Sequence, residues 1–429
     1  MAGNAPNSST KSTDKPVQIQ DVDNAYRVAA LTHFLPGGKD TNDEMNINGE
    51  KRINYAQDET TKLYRVSIRL PSGEIEYWQQ TDAYADGSTN VKATAYERCN
   101  LDGTPYKTQN GDKEAVITFH GSSNTTQDKN AYERIIAGDD MSDHYDAVTK
   151  VTDGIIANMA ARSPDGNMGN LTIGTYSAGA IALGAAYHAR ARTGQTNDPS
   201  LSAIYQKSAA PLPPPDMKFA DVQTIMLEPF AAGQALQQWT NRTARPNATE
   251  EEREALAQDI LKNSTSIRSD RETIYSSLKT GDQLNDNAQA AERTFSFKTE
   301  NNNITGLMEN HSLPTLGNAL TTHGVNGLTR TKDRDVSTED LLNGGRLLTG
   351  DEISTTQNLT STYSEWAEIV TAVFNIIKEF FFQEKPGTSR ENFEDLPLPA
   401  SAPAPTPAPE AQQTAQNNTQ THNLEPKPV

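Results

Sequence analysis

Residues 170–190 read NLTIGTYSAGAIALGAAYHAR, an apolar strand pattern, then a turn of small residues, then an alanine-rich helix pattern. Ser177 lies at the turn, between Tyr176 and Ala178, and Gly179 follows two residues later. Chemistry on a serine hydroxyl needs the side chain held on a tight turn, with a base and backbone donors nearby. The stretch therefore predicts a turn that presents Ser177 as a nucleophile, with a purely structural strand-to-helix turn as the alternative.

The turn departs at one position from the pattern Gly-x-Ser-x-Gly that nucleophile turns usually carry. Thr175 stands where the first glycine is expected, and Gly174 is displaced by one residue. Small residues surround such a serine because the helix turns back tightly against the strand. We expect the turn to strain the serine backbone by about 1 to 3 kcal/mol.

Apolar patterns on both sides of this stretch predict further strands and helices. Residues 62–79 alternate on either side of Pro71-Ser72-Gly73, which predicts a β-hairpin, and residues 115–120 resemble a buried central strand. The other predicted elements are helices at 142–161, 178–192 and 287–292, and strands at 170–176, 222–228, 273–278 and 293–298. This alternation favours an α/β fold with a mostly parallel central sheet, helices on both faces and an N-terminal β-hairpin region.

Composition divides the chain into one domain and two tails. Residues 1–20 are polar and rich in Ser and Thr, which predicts a disordered N-terminal tail. Residues 386–429 hold nine of the 23 prolines, which predicts an extended or disordered linker or docking tail. The predicted domain spans residues 21–385.

Two segments of that domain have a special character. Residues 231–270 contain a charged helix with a capping box at Thr249 and Glu252, which suits a surface lid or cap better than a core element. Residues 363–382 carry one apolar stripe, which predicts an amphipathic helix. That helix either packs on the sheet or binds a partner or a membrane interface.

Charge and cysteine usage exclude several classes of function. The net charge of −18 argues against nucleic-acid binding and against tight adsorption to anionic membranes. Cys99 is the only cysteine, so neither a disulfide framework nor a thiolate metal site is expected. Neither a signal-peptide pattern nor an apolar run long enough to span a bilayer occurs, which predicts a cytoplasmic protein or one exported without a cleavable signal.

In parallel sheets, ligands bind beyond the carboxyl ends of the strands, so residues that follow the predicted strands are the candidates for a site. His120-Gly121-Ser122 follows one strand, and a glycine there lets backbone N–H groups face a developing negative charge. We expect the amides of Ser122 and Ala178 to form an oxyanion hole. His120 itself is expected to shape this loop and not to act as the base.

Candidates for the acid and the base follow later strands. Asp282 comes after a glycine turn and is the favoured acid, and Glu228 at the end of strand 222–228 is the alternative. His311, in the loop after the last predicted strand, is the favoured base. The fallback histidines are His323 and His144, whereas His33 and His422 lie outside the predicted strand order.

The chain order Ser177, Asp282, His311 resembles that of the α/β-hydrolase superfamily, and most closely its lipase and esterase members, over about residues 110–325. The resemblance implies an eight-stranded, mostly parallel sheet and a covalent acyl-enzyme. Leu227-Glu228-Pro229 also resembles the acid segment of pancreatic-type lipases, which keeps Glu228 as a possible third member of the triad.

The resemblance implies a serine hydrolase that cleaves lipid or other carboxylic esters through a Ser-His-Asp/Glu triad, with no metal or organic cofactor. Two alternatives stay open. One is a non-catalytic α/β-hydrolase-like binding protein or effector, because fold alone does not establish activity. The other is an acyltransferase that uses the same residues.

Overall fold

A computed structural model describes the parts of the chain on which the following account rests. They are residues 17–33, 52–121, 134, 140–192, 217–229, 232–244, 247–269, 293–297, 313–330, 397 and 399–400.

Ten strands and six α-helices are described. The strands are β1 (Ile53–Gln57), β2 (Tyr64–Arg69), β3 (Ile75–Ala85), β4 (Lys92–Cys99), β5 (Glu114–Phe119), β6 (Asn167–Tyr176), β7 (Lys218–Leu227), β8 (Ser264–Ser269), β9 (Arg293–Phe297) and β10 (Leu328–Arg330). The α-helices are α1 (Ile19–His33), α2 (Ser142–Ala161), α3 (Ala185–Arg192), α4 (Ala232–Thr243), α5 (Glu250–Lys262) and α6 (Leu313–His323). Two 3-10 helices span Ser177–Ala182 and Gly324–Gly327.

All ten strands form one mixed sheet, in which each strand pairs with the next one along the chain. The pairings are antiparallel from β1 to β5, parallel from β5 to β9, and antiparallel again between β9 and β10. The chain is therefore α/β, as the alternation predicts, but the prediction of a mostly parallel sheet is wrong. Short turns such as Pro71-Ser72-Gly73 can only join antiparallel strands, and they dominate the first half of the sheet.

Helices cover both faces of the sheet. On one face, α2 to α5 and the Ser177–Ala182 helix share a core with Ala115, Ile117 and Phe119 of β5. On the other face, α1 and α6 share a core with Val116, the alternate residue of the same strand. The two faces of β5 are thus both buried, which explains its continuous apolar sequence.

Helix α1 lies across the middle of the sheet, where the sequence predicted no element. It begins at Ile19, inside the predicted N-terminal tail, and contacts β5, β6 and β7. A Cβ atom on Gly174 of β6 would lie 2.5 Å from Val28 Cγ1, so only glycine fits where the helix crosses the strand. The glycine displaced from the expected pattern therefore serves helix packing.

The segment predicted to be a lid, residues 231–270, instead forms part of the core. β8 pairs in parallel with β7 inside the sheet, and α4 and α5 supply the connection between them. The capping box of α5 is present as predicted, but Leu256, Ile260 and Leu261 of that helix are buried against the sheet. Its charged face is simply the solvent side of an amphipathic crossover helix.

Other predictions have mixed outcomes. The helix at 142–161 is confirmed, and the strands at 115–120, 170–176, 222–228 and 293–298 are confirmed to within four residues at each end. The predicted helix 178–192 is a 3-10 helix followed by α3. The elements predicted at 273–278, 287–292 and 363–382 lie outside the described residues. None of the described helices is both long enough and apolar enough to cross a membrane.

Candidate functional site

Three predicted positions lie side by side at the carboxyl edge of the parallel strands. Phe119 of β5 pairs with Thr175 of β6, and Tyr176 of β6 pairs with Leu227 of β7. Gly121, Ser177 and Glu228 therefore lie next to one another just beyond the ends of β5, β6 and β7. Neighbouring strands of a sheet are about 4.8 Å apart. The register places a serine hydroxyl and a carboxylate on adjacent strand ends.

The backbone at Ser177 is strained. Tyr176 is extended (φ −133°, ψ 134°), and Ser177 then turns to φ 51° as the 3-10 helix begins. This left-handed conformation costs a residue with a Cβ about 1 to 3 kcal/mol. Ser177 is also buried, with 6% of its surface exposed, so burial and packing hold the strained turn in place.

Two glycines allow the chain to close around Ser177. A Cβ atom on Gly179 would lie 2.6 Å from the Phe119 carbonyl oxygen, so the 3-10 helix packs directly on the end of β5. A Cβ atom on Gly121 would lie 3.1 Å from Ser177 Cβ. The His-Gly loop and the serine are therefore in direct contact.

Of the two predicted oxyanion donors, one is described. Ala178 is in the first turn of the 3-10 helix, where backbone N–H groups have no acceptor within the helix. The Ala178 N–H therefore lies at the carboxyl end of β6, directly after Ser177. Ser122 lies outside the described residues.

His120 serves the fold of this edge, as the sequence predicts. Its Nδ1–H donates to the Thr32 carbonyl at 3.1 Å, so Nε2 accepts from the Thr94 hydroxyl at 3.0 Å. Loss of hydration lowers the pKa of His120 to about 4 and keeps the ring neutral. His120 ties the end of β5 to α1 and β4.

Glu228 is the candidate acid that the structure places beside Ser177. It follows β7, is fully buried, and has φ 45°. Its N–H donates to the Ile267 carbonyl of β8 at 2.8 Å, which fixes the backbone at this turn. A left-handed residue before proline is doubly unfavourable, because Pro229 favours extended backbone at the preceding position.

The favoured acid and base, Asp282 and His311, lie outside the described residues. The fallback histidines are both described. His144 is in the first turn of α2, with Nδ1 3.0 Å from Asp143 Oδ1, and His323 is exposed at the end of α6.

His33 lies outside the strand order predicted from the sequence and was therefore not expected near the site. It ends α1, and the contacts of Val28 with Gly174 and of Thr32 with His120 bring that end of the helix to the same sheet edge. Burial lowers the pKa of His33 to about 4. No sequence pattern could have located it, because the position depends on where α1 crosses the sheet.

Trp239 of α4 supports the turn from behind. Its indole N–H donates to the Ile181 carbonyl at 2.6 Å, and its ring contacts Tyr145 edge-to-face at a centroid distance of 5.1 Å. A Cβ atom on Gly184 would lie 2.2 Å from the indole ring. Trp239, which lies in the segment predicted to be a lid, therefore holds the 3-10 helix that begins at Ser177 through a hydrogen bond and close packing.

Among the described residues, no group of three or more His, Cys, Asp or Glu side chains is placed to hold a metal ion. No protein-family model matches the chain, and no curated protein or solved structure matches it significantly.

Proposed function

We propose that this chain is a serine hydrolase that cleaves carboxylic esters of the lipase and esterase kind. One observation carries the proposal. Ser177 and Glu228 are both buried, both left-handed, and adjacent at the carboxyl edge of the sheet. Strain of this kind in two neighbouring residues is typical of catalytic sites, where surrounding structure holds side chains in position for chemistry.

The proposed nucleophile is Ser177, and His311 is the proposed base. His311 takes the hydroxyl proton while Ser177 Oγ attacks the ester carbonyl, and the alkoxide leaves with that proton. Water then attacks the acyl-enzyme and returns the serine. The amides of Ala178 and Ser122 stabilise the oxyanion, at about 3 to 4 kcal/mol for each donor.

For the third member of the triad we propose Glu228, because the register of β6 and β7 makes it the neighbour of Ser177, whereas Asp282 lies outside the described residues. A buried carboxylate next to the serine can hold the imidazole in the required tautomer and stabilise the imidazolium. Asp282 remains the alternative that the chain order of the superfamily suggests.

We also propose that β5 to β9 correspond to the core of an α/β-hydrolase. The candidate oxyanion loop, nucleophile and acid follow three consecutive parallel strands, β5, β6 and β7, as the resemblance implies. The antiparallel strands β1 to β4 are an addition to that core.

The decisive experiment is labelling with a fluorophosphonate probe, which reacts with activated serines. We expect the intact protein to take the label and Ser177→Ala to take none. Ser163→Ala is the matched control, because Ser163 is equally buried but lies just before β6, at the opposite edge of the sheet.

Failure of the folded wild-type protein to label would contradict the proposal and support a non-catalytic binding protein or effector. If the label is taken, product analysis with added alcohols separates hydrolysis from acyl transfer. Acyl transfer to the alcohol as the main reaction would identify an acyltransferase.

A further inference from the structure

A proline-rich segment near the C-terminus lies against the antiparallel part of the sheet. The Ser67 hydroxyl donates to the Pro397 carbonyl at 2.5 Å. The Arg65 guanidinium donates to the Pro399 carbonyl at 2.7 Å. The sequence predicts an extended or disordered linker or docking tail from residue 386 onward, and at Pro397 and Pro399 the contacts are those of a docked segment.

A third hydrogen bond joins the segment to a different part of the sheet. The Ala400 N–H donates to the carbonyl of Leu101, which follows β4, at 2.8 Å. Pro399 is buried, and Ser67 has no exposed surface. The segment is therefore packed on the sheet and bonded to it at three successive points.

The segment lies on the face of β2 that no described helix covers. Val66 and Ile68 face the core beneath α1, so the alternate residues Arg65 and Ser67 face the other way. On that side α2 shares a core with β5 and is bonded to β3 through Asn158 and Asp82. The proline segment takes the place that a helix holds elsewhere on the sheet.

The chemistry of the contact suits a proline-rich strand in particular. Proline has no N–H, so its carbonyl is its only backbone group that can form a hydrogen bond, and the surface must supply donors. Arg65 and Ser67 are such donors, two residues apart on a strand, about 6.7 Å. Residues two apart in a polyproline helix are separated by about 6.2 Å, which is close to this spacing of the donors.

We propose that Arg65, Ser67 and the Leu101 carbonyl form a binding site for a proline-rich peptide, here called the proline-binding face. In this chain the occupant is the chain's own segment around Pro397 and Pro399. Polyproline strands are stiff before they bind, so little conformational entropy is lost on docking. This proposal is independent of the hydrolase activity.

The test uses a fluorescent peptide with the sequence of residues 394–403 and full-length protein, with binding followed by fluorescence anisotropy. In the wild type, the chain's own segment competes at an effective concentration on the order of millimolar. Releasing that segment with Pro397→Gly and Pro399→Gly should strengthen binding of the added peptide at least tenfold. Adding Ser67→Ala or Arg65→Gln to the released variant should abolish the gain, whereas Ser72→Ala in the exposed β2–β3 turn should not.

Several outcomes would overturn the proposal. They are equal affinity of the wild type and the released variant, equal binding of a peptide whose two prolines are replaced by glycine, and no effect of either Ser67→Ala or Arg65→Gln. A dimer of the wild type by light scattering that dissociates in the released variant would mean that a second copy supplies the segment. Circular dichroism identifies variants that fail to fold. If Ser67→Ala unfolds, Arg65→Gln still tests the proposal, because this variant removes no buried hydroxyl.

Discussion

Strained backbone occurs in both halves of the sheet, but it has different surroundings in each. In the antiparallel half, Lys62 and Asn90 have φ 60° and 59° and close turns between strands. Each turn begins with an aspartate whose carboxylate accepts bonds from the following residues, as Asp86 does from Ser88 and Thr89. Here the left-handed residue is part of a local turn that its own hydrogen bonds stabilise.

In the parallel half, Ser177 and Glu228 have nearly the same backbone angles, φ 51° and 45°, but neither closes a hairpin. Both are buried, and the packing around them comes from distant parts of the chain, such as Phe119 against Gly179. The same backbone conformation thus reverses the chain in one half of the sheet and positions a side chain in the other. Only the second use points to function.

The largest expected effect is on catalysis at the carboxyl edge of the parallel strands, where Ser177 and Glu228 lie. Ser177→Ala should lower turnover of an ester substrate by up to about a million-fold, and Glu228→Gln by about ten-thousand-fold, because the glutamine cannot stabilise an imidazolium. Steady-state kinetics on a chromogenic ester measures both. Unchanged turnover in Glu228→Gln, with Asp282→Asn strongly impaired, would transfer the role of the acid to Asp282.

In the antiparallel half, the largest effect should be on stability. Glu76 is fully buried and accepts two hydrogen bonds from Arg27 of α1, at 2.6 and 2.7 Å. Glu76→Gln leaves the Arg27 charge buried without its partner and should lower the free energy of unfolding by about 3 to 5 kcal/mol. Glu74→Gln is the control, because Glu74 is exposed and its partner Arg98 keeps two other carboxylates, so this change should cost about 1 kcal/mol or less. Urea denaturation compares them, and equal losses would contradict the assignment.

A third effect depends on pH and involves His120, which joins the two halves. Burial lowers its folded-state pKa to about 4, whereas the unfolded chain binds the proton near pH 6.5. The unfolded state therefore holds more protons between those values, and the free energy of unfolding should fall as pH drops from 6.5 to 4. His120→Asn, which keeps a donor for the Thr32 carbonyl, should reduce this slope in urea titrations at several pH values. An unchanged slope would assign the dependence to other groups, such as His33.

The smallest expected effect is on stability, at the left-handed residues themselves. Glycine adopts left-handed backbone without strain, so Asn90→Gly and Ser177→Gly should each raise the free energy of unfolding by about 1 kcal/mol or less. Only Ser177→Gly should also abolish fluorophosphonate labelling. Thermal denaturation and labelling of the two variants test this, and destabilisation by Ser177→Gly would show that the serine side chain contributes more than its strain costs.

Local patterns allowed several elements to be predicted from sequence. The turn at Ser177, the buried strand β5 and the capping box of α5 each follow from signals within a few residues. β8, with the sequence STSIRS, could not be predicted by hydropathy, because a central strand of polar residues is specified by its neighbours. The place of α1 was equally hidden, since Val28 and Gly174 are far apart in sequence.

For the candidate site, the sequence identified Ser177 and kept Glu228 as an alternative acid. What it could not supply was the register between β6 and β7, which makes the two residues neighbours. The supporting role of Trp239 was also missed, because a charged, well-capped segment looks like a lid unless its buried side is known.

The strictly sequential order of the ten strands has a consequence for how the chain folds. Every strand pairs with its predecessor, so the sheet can grow one strand at a time, through short connections in the antiparallel half and much longer crossovers in the parallel half, even while the chain is being synthesised. Helix α1 is the exception. It precedes the strands in the chain, yet apart from the Arg27 bond to Glu76 of β3 most of its contacts are with β5, β6, β7 and α6, so its docking has to wait for the later strands.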